Sequence, residues 1–267
     1  MFRVGLQRGA SLVVAPILAD NYLYALCTAN GGVAVVDPGG VPETAEWDEV
    51  NKAVKAVLVT HHHHDHVDEL RSVLAHASIK RPPVVVSSAA ALRVPCSSSH
   101  LSLEPGSTKV DIPGLGPDAA VDVIATPGHT RDHCAFHFPQ LGVVFSGDNL
   151  FGLGCGRVFE GSIAEMHASL QSLAKLPDHT VVAGSHEYTL ANLEFCLSLG
   201  DELYSYLPGS PDDAKAAFDA RAADIRTAAA AGKPTMPTTI GLEKATNPFL
   251  VPDLSSFARV RAAKDVF

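Results

Sequence analysis

The sequence predicts an α/β fold in which two packed β-sheets carry helices on their outer faces and a helical region follows. Short runs rich in β-branched residues alternate with glycine and proline turns from residue 11 to residue 148. Few helical stretches lie among these runs. After His186, apolar residues recur at helical spacing instead. We therefore divide the 267 residues into a first domain, residues 1–185, and a helical second domain, residues 186–267.

The strands are predicted from apolar runs that turn residues bound on both sides. They are Ser11–Ile17, Tyr22–Thr28, Val33–Asp37, Val54–Thr60, Val84–Ser87, Val121–Thr126, His133–Phe138, Val143–Ser146 and Thr180–Ala183. Helices are predicted among them at about His66–Ala77 and Ile163–Leu176. The first ten residues contain two arginines and no acidic residue. We expect them to form a frayed tail rather than the remnant of a mitochondrial presequence, for which they are short.

Further helices are predicted after His186. The first ends near Gly200, and its apolar stripe is Leu190, Leu193 and Leu197. The second begins at Ser210-Pro211, a capping serine followed by proline, and ends near Gly232. Its predicted buried face is Phe218, Ala222 and Ile225. A polar link, residues 233–248, then leads to a last amphipathic segment, Leu254–Lys264.

Composition excludes several classes of protein. Acidic residues outnumber basic ones by 29 to 20, which argues against a nucleic-acid partner. No apolar run approaches the roughly 20 residues of a membrane helix. The five cysteines are scattered without CxxC spacing, which is typical of reduced thiols in the cytoplasm. We expect a cytoplasmic monomer that binds neither nucleic acid nor membrane.

A dense histidine cluster follows the predicted strand Val54–Thr60. It has the pattern His-x-His-x-Asp-His, with donors at His61, His63, Asp65 and His66. Alternate residues of an extended segment point the same way, so His61 and His63 can share one metal ion. As the chain bends, Asp65 and His66 can turn toward a second ion. A solvated histidine run or an expression tag is the alternative, but a tag would lie at a terminus.

Three later donors follow the same local design of β-branched strand, glycine and donor side chain. They are His129, Asp148 and His186. Imidazoles and carboxylates without thiolates suit zinc, iron or manganese.

Seven donors are too many for one tetrahedral ion but fit two ions that share Asp148. His61, His63 and His129 would hold one ion, and Asp65, His66 and His186 the other. Two ions about 3.5–4 Å apart bind a hydroxide between them and make it nucleophilic at neutral pH.

The donors lie within a larger set of short motifs. These are Asp20-Asn-Tyr22, Val36-Asp-Pro-Gly39, Thr60–His66, Thr126-Pro-Gly-His-Thr130, Ser146-Gly-Asp148, Cys155-Gly156, His186-Glu-Tyr-Thr189 and Asn247-Pro-Phe249. With them the chain resembles the metallo-β-lactamase superfamily and, within it, the hydroxyacylglutathione hydrolases (glyoxalase II). The resemblance covers nearly the whole chain. It implies an αβ/βα sandwich of two mixed sheets with outer helices, plus a C-terminal helical domain.

The resemblance also implies a substrate site. The residues that match the family's glutathione contacts are Arg157, Phe159, Tyr188, Arg261 and Lys264. A solvated helix end is the alternative for Arg261 and Lys264. Phe159 stands where the family often has tyrosine, and the missing hydroxyl should cost about 0.5–1.5 kcal/mol of binding. His64 replaces a common tryptophan and Asp68-Glu69 a pair of small residues; we expect these changes to alter packing around the ligands but not the ligand set.

The implied activity is thioester hydrolysis by two divalent ions, with zinc favoured over iron or manganese. The substrate would be S-(2-hydroxyacyl)glutathione, such as S-D-lactoylglutathione, and the products glutathione and D-lactate, as in methylglyoxal detoxification. Asp65 would both bind a metal and orient the bridging hydroxide. A thiol with a pKa near ~8.5 leaves without a strong general acid.

Other readings stay open at this point. A persulfide dioxygenase with a single iron shares the first motifs but is not expected to carry His-Glu-Tyr-Thr or the long helical tail. An RNA-processing nuclease of the same superfamily conflicts with the acidic composition. A non-catalytic metal-binding module is the alternative from a different class.

Overall fold

The computed structural model describes residues 1–77, 84–87, 100–103, 106 and 109–267. The described residues form two compact units. The first consists of Met1–Ala125 and Arg131–Gly147, and the second of Thr126–Thr130 and Asp148–Phe267. The division predicted between residues 185 and 186 follows the sequence pattern instead, and it stays a prediction. Along the described parts of the chain, no helix is both long and apolar enough to span a membrane.

The first unit is built on a seven-stranded mixed sheet whose strands lie in chain order. The strands are β1 (Phe2–Gly5), β2 (Ser11–Ile17), β3 (Asn21–Cys27), β4 (Val33–Val36), β5 (Val54–Leu58), β6 (Val84–Ser87) and β7 (His100–Leu103). The pairs from β1 to β4 are antiparallel, and those from β4 to β7 are parallel. The parallel ladder puts the C-terminal ends of β4 and β5 at one edge of the sheet, where the donor residues begin.

Short helices cover one face of this sheet. They are α1 (Ala45–Lys52), α2 (His64–Val67) and α3 (Leu70–His76). Alternate residues of β2 to β5, such as Val13, Leu23 and Val35, form one apolar cluster with Trp47 of α1 and Val73 of α3. Antiparallel strands complete the unit: β8 (Asp122–Ala125), β9 (Cys134–Phe138) and β10 (Val143–Gly147).

The second unit is mainly helical. A small hairpin, β11 (Leu150–Phe151) and β12 (Gly154–Cys155), precedes α4 (Ile163–Ala174), and β13 (Val181–Gly184) pairs with β14 (Thr238–Thr239). The remaining helices are α5 (Thr189–Ser198), α6 (Pro211–Ala230), α7 (Ile240–Thr246) and α8 (Leu254–Asp265). Ser210 caps α6 by accepting from the amide of Asp213, and Phe218, Ala222 and Ile225 are buried, as predicted.

The predicted fold class is confirmed, since sheets with parallel and antiparallel strands form with flanking helices, and the C-terminal region is helical. The prediction of a frayed N-terminus is wrong. Phe2–Gly5 pairs in register with β2, and the half-buried Phe2 and Val4 alternate with exposed residues. The charge of Arg3 obscured this short pattern. The prediction of one helix over His66–Ala77 is also wrong. The helix is interrupted between α2 and α3, where the Glu69 amide donates to Pro38 O.

Two predictions in the second unit are wrong as well. Of the predicted stripe on α5 only Leu193 is buried, while Leu190 and Leu197 are 42% and 37% exposed. Asn192 faces inward instead, because its side-chain amide donates to Gly152 O in the hairpin at 3.0 Å. The predicted link over residues 233–248 contains helix α7, which begins with Thr239 as its cap. The described cysteines are free thiols, and Cys96 lies outside the described residues.

Candidate metal centre

In the first unit the donor segment leaves β5 in an extended conformation and then enters α2. The imidazole of His61 is buried, and its Nε2 lies 3.1 Å from Nδ1 of His63. His62, between them, points elsewhere and donates from Nδ1 to Asp132 at 2.9 Å. The predicted alternation therefore brings His61 and His63 together.

Asp37 supports this segment from the end of β4. Its Oδ1 accepts from the Thr60 amide at 2.8 Å, and its Oδ2 accepts from the Thr60 hydroxyl at 2.7 Å. Oδ2 also accepts from Nδ1 of His66 at 3.1 Å. A carboxylate that accepts from one ring nitrogen fixes the tautomer and orientation of a metal-binding histidine. Sequence reasoning missed this role, although Asp37 also stands at the end of a β-branched strand.

Asp65 is held from two sides. The side-chain amide of Asn21 donates to its Oδ2 at 2.9 Å. Gly39 packs against its backbone so closely that an added Cβ would lie 1.6 Å from Asp65 O. Oδ2 also lies 3.3 Å from Nε2 of His66. Asn21 at the start of β3 therefore orients the carboxylate, and the loop after β4 positions the backbone of Asp65.

In the second unit Asp148 lies between two histidines. Its Oδ2 is 3.3 Å from Nε2 of His129, and its Oδ1 is 3.3 Å from Nε2 of His186. Nδ1 of His129 donates to Arg157 O at 2.9 Å. The ring of His186 stacks on Tyr188, with centroids 4.6 Å apart and planes 4° from parallel. Each histidine is thus oriented by a second contact while its Nε2 faces Asp148.

The donor chemistry of both units fits divalent cations. A carbonyl oxygen only accepts, so Nδ1 of His129 donates to Arg157 O, and in the neutral ring Nε2 then presents a lone pair on the side of the Asp148 carboxylate. His66 is arranged similarly, with Nδ1 donating to Asp37 and Nε2 directed toward Asp65. Two electron-rich atoms 3.3 Å apart are stabilised by a cation beside them.

Each of the seven predicted ligands also belongs to a group of three His, Asp or Glu side chains suited to holding an ion. In every such group the ligand atoms lie within 4.8 Å of one another. The chain therefore carries histidine and aspartate clusters suited to metal binding.

The predicted substrate-binding residues lie in the second unit and differ in exposure. Phe159 is 60% exposed, with its ring centroid 5.2 Å from that of His129. Lys264 is half-buried, with Nζ 4.9 Å from the Phe195 ring centroid; burial lowers its pKa, and the charge of Arg261 lowers it further. Arg261 is only 3% exposed, so the alternative that it belongs to a solvated helix end is wrong.

The C-terminal motifs hold the loop that follows Asp148. The Asn247 side-chain amide donates to Phe151 O at 3.2 Å and Gly154 O at 3.1 Å, which fixes the β11–β12 hairpin. Glu187 accepts from the Thr235 amide at 2.8 Å and also contacts the Thr235 hydroxyl. These residues therefore support the segments that carry Asp148 and His186.

The departure at His64 has a simpler outcome than expected. Its side chain is 95% exposed and pairs on the surface with Asp68, 3.1 Å away. The expectation that His64 alters packing around the ligands is wrong, because the first residue of α2 points into solvent there.

Comparison with known proteins identifies the class. Residues 19–186 match the family described as the Metallo-beta-lactamase superfamily. The structure is similar to the BLEG-1 B3 metallo-beta-lactamase, with a TM-score of 0.61 and 21% identity over 90% of this chain and 99% of that one. It is also similar to TTHA1623 in a di-iron-bound form, with a TM-score of 0.56 and 25% identity over 90% of this chain and 99% of that one. The chain is a member of the metallo-β-lactamase superfamily.

The family within that class follows from the rest of the chain. Residues 187–267 match the family described as Hydroxyacylglutathione hydrolase C-terminus. A hydroxyacylglutathione hydrolase of Ruegeria pomeroyi is 40% identical over 96% of this chain and 98% of its own length. The chain belongs to the hydroxyacylglutathione hydrolase family, which confirms the family predicted from its motifs.

Proposed function

We propose that the chain hydrolyses S-(2-hydroxyacyl)glutathione, with S-D-lactoylglutathione as the substrate and glutathione and D-lactate as products. The observation that carries the proposal is the position of Asp148, whose two oxygens each lie 3.3 Å from Nε2 of a different histidine. A carboxylate in this position can be shared by two ions, each of which would also bind one of the histidines. The names of the relatives support the choice of thioester.

The proposed centre holds two divalent ions, with zinc favoured. The ligands are those predicted from the sequence: His61, His63, Asp65, His66, His129, Asp148 and His186. When bound, such ions polarise a carbonyl and lower the pKa of water. The di-iron form of the relative TTHA1623 supports a binuclear centre.

The protein's own residues position the reactants. The side-chain amide of Asn21 donates to Oδ2 of Asp65 at 2.9 Å and so fixes the carboxylate. This carboxylate can then accept a proton from the attacking water and orient the water's lone pair toward the thioester carbonyl. The leaving group is the glutathione thiolate, which needs no strong acid because its thiol pKa is near ~8.5. Hydrolysis of a thioester therefore requires fewer protein groups than hydrolysis of an amide.

The thiol arm of the substrate requires cations in an acidic protein of net charge −9. Arg157 and Lys264 are the accessible candidates, and Arg261 completes the set that the family resemblance implies. Tyr188 and Phe159 would line the same arm, since they contact His186 and His129 respectively. These contacts serve ground state and transition state alike, so they should lower KM rather than raise kcat.

The test is steady-state kinetics on S-D-lactoylglutathione together with elemental analysis of the same preparation. We expect thioester hydrolysis with two ions per chain. A parallel arm measures oxygen consumption with glutathione persulfide. Oxygen uptake without thioester hydrolysis would replace the proposal with the single-iron dioxygenase, and metal binding without turnover of either substrate would favour the binding module.

We also propose that the protein works in the cytoplasm. The buried Cys134, Cys155 and Cys196 are free thiols, which suits a reducing compartment. Fractionation of the source cells followed by detection of the protein would test this.

A further inference from the structure

The segment Cys155–Arg157 lies directly against two proposed metal ligands. Arg157 O accepts from Nδ1 of His129 at 2.9 Å. Gly156 packs so tightly that an added Cβ would lie 1.9 Å from Asp148 O and 3.3 Å from Nδ1 of His129. The position of this segment therefore sets the orientation of the His129 ring.

Helix α8 holds the same segment from the other side. Nη1 of Arg261 donates to Cys155 O at 3.2 Å, and Nη2 donates to Oδ1 of Asp265 at 2.9 Å. The same oxygen of Asp265 lies 3.6 Å from Nε of Arg157. Both ends of the segment are thus tied to one helix.

The burial of Arg261 makes the first of these contacts the stronger one. Its guanidinium packs 5.3 Å from the Phe249 ring centroid and is almost fully shielded from water. Charge-assisted hydrogen bonds are stronger in such surroundings than at the surface. The pair of Asp265 with the exposed Arg157 is weaker, because solvent screens it.

We propose that Arg261, supported by Asp265, is a positioning residue for the metal ligand His129. It acts through the backbone of Cys155–Arg157, in addition to any contact that it makes with substrate. The inference rests on the proposed metal centre. A histidine that binds a metal depends on the acceptor at its other nitrogen, and loss of that support typically weakens metal binding about 10–100-fold.

The experiment compares Arg261→Met with Arg259→Met, a matched arginine on the same helix. Arg259 is 65% exposed and pairs at the surface with Glu202, 3.7 Å away. Zinc affinity of each metal-depleted full-length protein is measured by competition with a chromophoric chelator. We expect one of the two ions to bind about tenfold or more weakly in Arg261→Met, and no change in Arg259→Met.

Asp265→Asn keeps the test informative if Arg261→Met fails to fold. The Asp265 side chain is 40% exposed, so its replacement should be tolerated. We expect a smaller loss of affinity, about threefold, and a double variant no weaker than Arg261→Met because both act through one segment. Circular dichroism checks that each variant is folded.

The outcomes separate this inference from the proposed function. Unchanged zinc affinity in folded Arg261→Met, with a raised KM alone, would overturn the positioning role and leave the hydrolase intact. If Arg261→Met binds zinc more weakly but the wild-type protein hydrolyses no thioester, the positioning role is supported and the proposed function fails.

Discussion

Nδ1 of His66 donates to Oδ2 of Asp37 at 3.1 Å, and both side chains are buried. The same carboxylate also accepts from the amide and hydroxyl of Thr60. One buried aspartate thus connects the end of β4 to the donor segment after β5.

Replacing Asp37 with alanine should therefore weaken metal binding. We expect a loss of about 10–100-fold in zinc affinity, because His66 loses the acceptor that fixes its tautomer. Isothermal titration of the metal-depleted protein measures it. The matched control is Asp118→Ala, since Asp118 makes a surface ion pair with Arg8; equal losses in both variants would contradict the role of Asp37.

Replacing Asp148 with alanine should remove both ions together. Its two oxygens face different histidines, so a shared ligand is lost from each proposed metal. Replacing His63 should release mainly one ion. Elemental analysis after dialysis distinguishes the two variants, and an Asp148→Ala protein that keeps one ion per chain would rule out the bridge.

Glu243 should be a major source of stability in the second unit. It is fully buried, and it accepts from the Leu153 amide at 2.8 Å and from the Asn247 side chain at 3.0 Å while Arg221 lies 3.4 Å away. Burial raises its pKa, and the Arg221 charge opposes that rise.

Glu243→Ala leaves a largely buried arginine unpaired, so we expect the free energy of unfolding to fall by about 3–5 kcal/mol. Urea titration measures the change. The control Glu49→Ala removes an exposed acid that pairs with the exposed Lys52, and it should cost less than about 1 kcal/mol. A loss from Glu243→Ala no larger than that of the control would contradict the prediction.

The cap of α8 should show a defined pH dependence. Asp253 accepts from the Ser255 hydroxyl at 2.6 Å and the Ser256 amide at 2.7 Å, which lowers its pKa from 3.8 to about 2. A depressed pKa means that the carboxylate stabilises the fold above pH 3.8 and loses this effect as the pH falls toward 2.

Asp253→Ala should accordingly be less stable than the wild type at neutral pH, and the difference should shrink between these two values. Thermal unfolding of both proteins across that range provides the measurement. A difference that stays constant down to pH 2 would show that the cap does not act through the charge.

Phe159→Tyr should improve substrate binding. The exposed ring beside His129 lacks the hydroxyl that the resemblance to the family implies at this position, and a neutral hydrogen bond contributes about 0.5–1.5 kcal/mol. We expect KM for S-D-lactoylglutathione to fall about 2- to 12-fold with kcat unchanged. Phe159→Leu serves as the control for aromatic contact alone, and a KM unaffected by tyrosine would remove position 159 from the substrate arm.

The metal-ligand candidates could be predicted because their signal is local. A strand, a glycine and a donor stand next to each other in sequence at Asp148, and the donors of the histidine cluster lie within a few residues. Their supports could not be predicted in the same way. Asp37 reaches Thr60 only because β4 and β5 pair in parallel, and Asn21 meets Asp65 across 44 positions.

Elsewhere tertiary contacts, rather than the local sequence pattern, decide which side chains are buried. Leu190 and Leu197 have the spacing of a buried stripe, yet Asn192 faces inward because its side-chain amide donates to the hairpin carbonyl of Gly152. Arginine is usually a surface residue. The burial of Arg261 depends on its hydrogen bond to Cys155, which lies 106 positions away in the sequence.

The acceptor for Nδ1 of His129 is the main-chain carbonyl of Arg157. Residue 157 therefore supports the imidazole with its backbone, while its side chain is left for the proposed contact with substrate. Every amino acid has that carbonyl, so a substitution at residue 157 keeps the acceptor of the His129 imidazole. The side chain lies largely in solvent and can change in charge and length. The position is therefore a suitable place for natural drift or a designed library to retarget the thiol specificity. A side-chain acceptor at the same point would have kept residue 157 invariant.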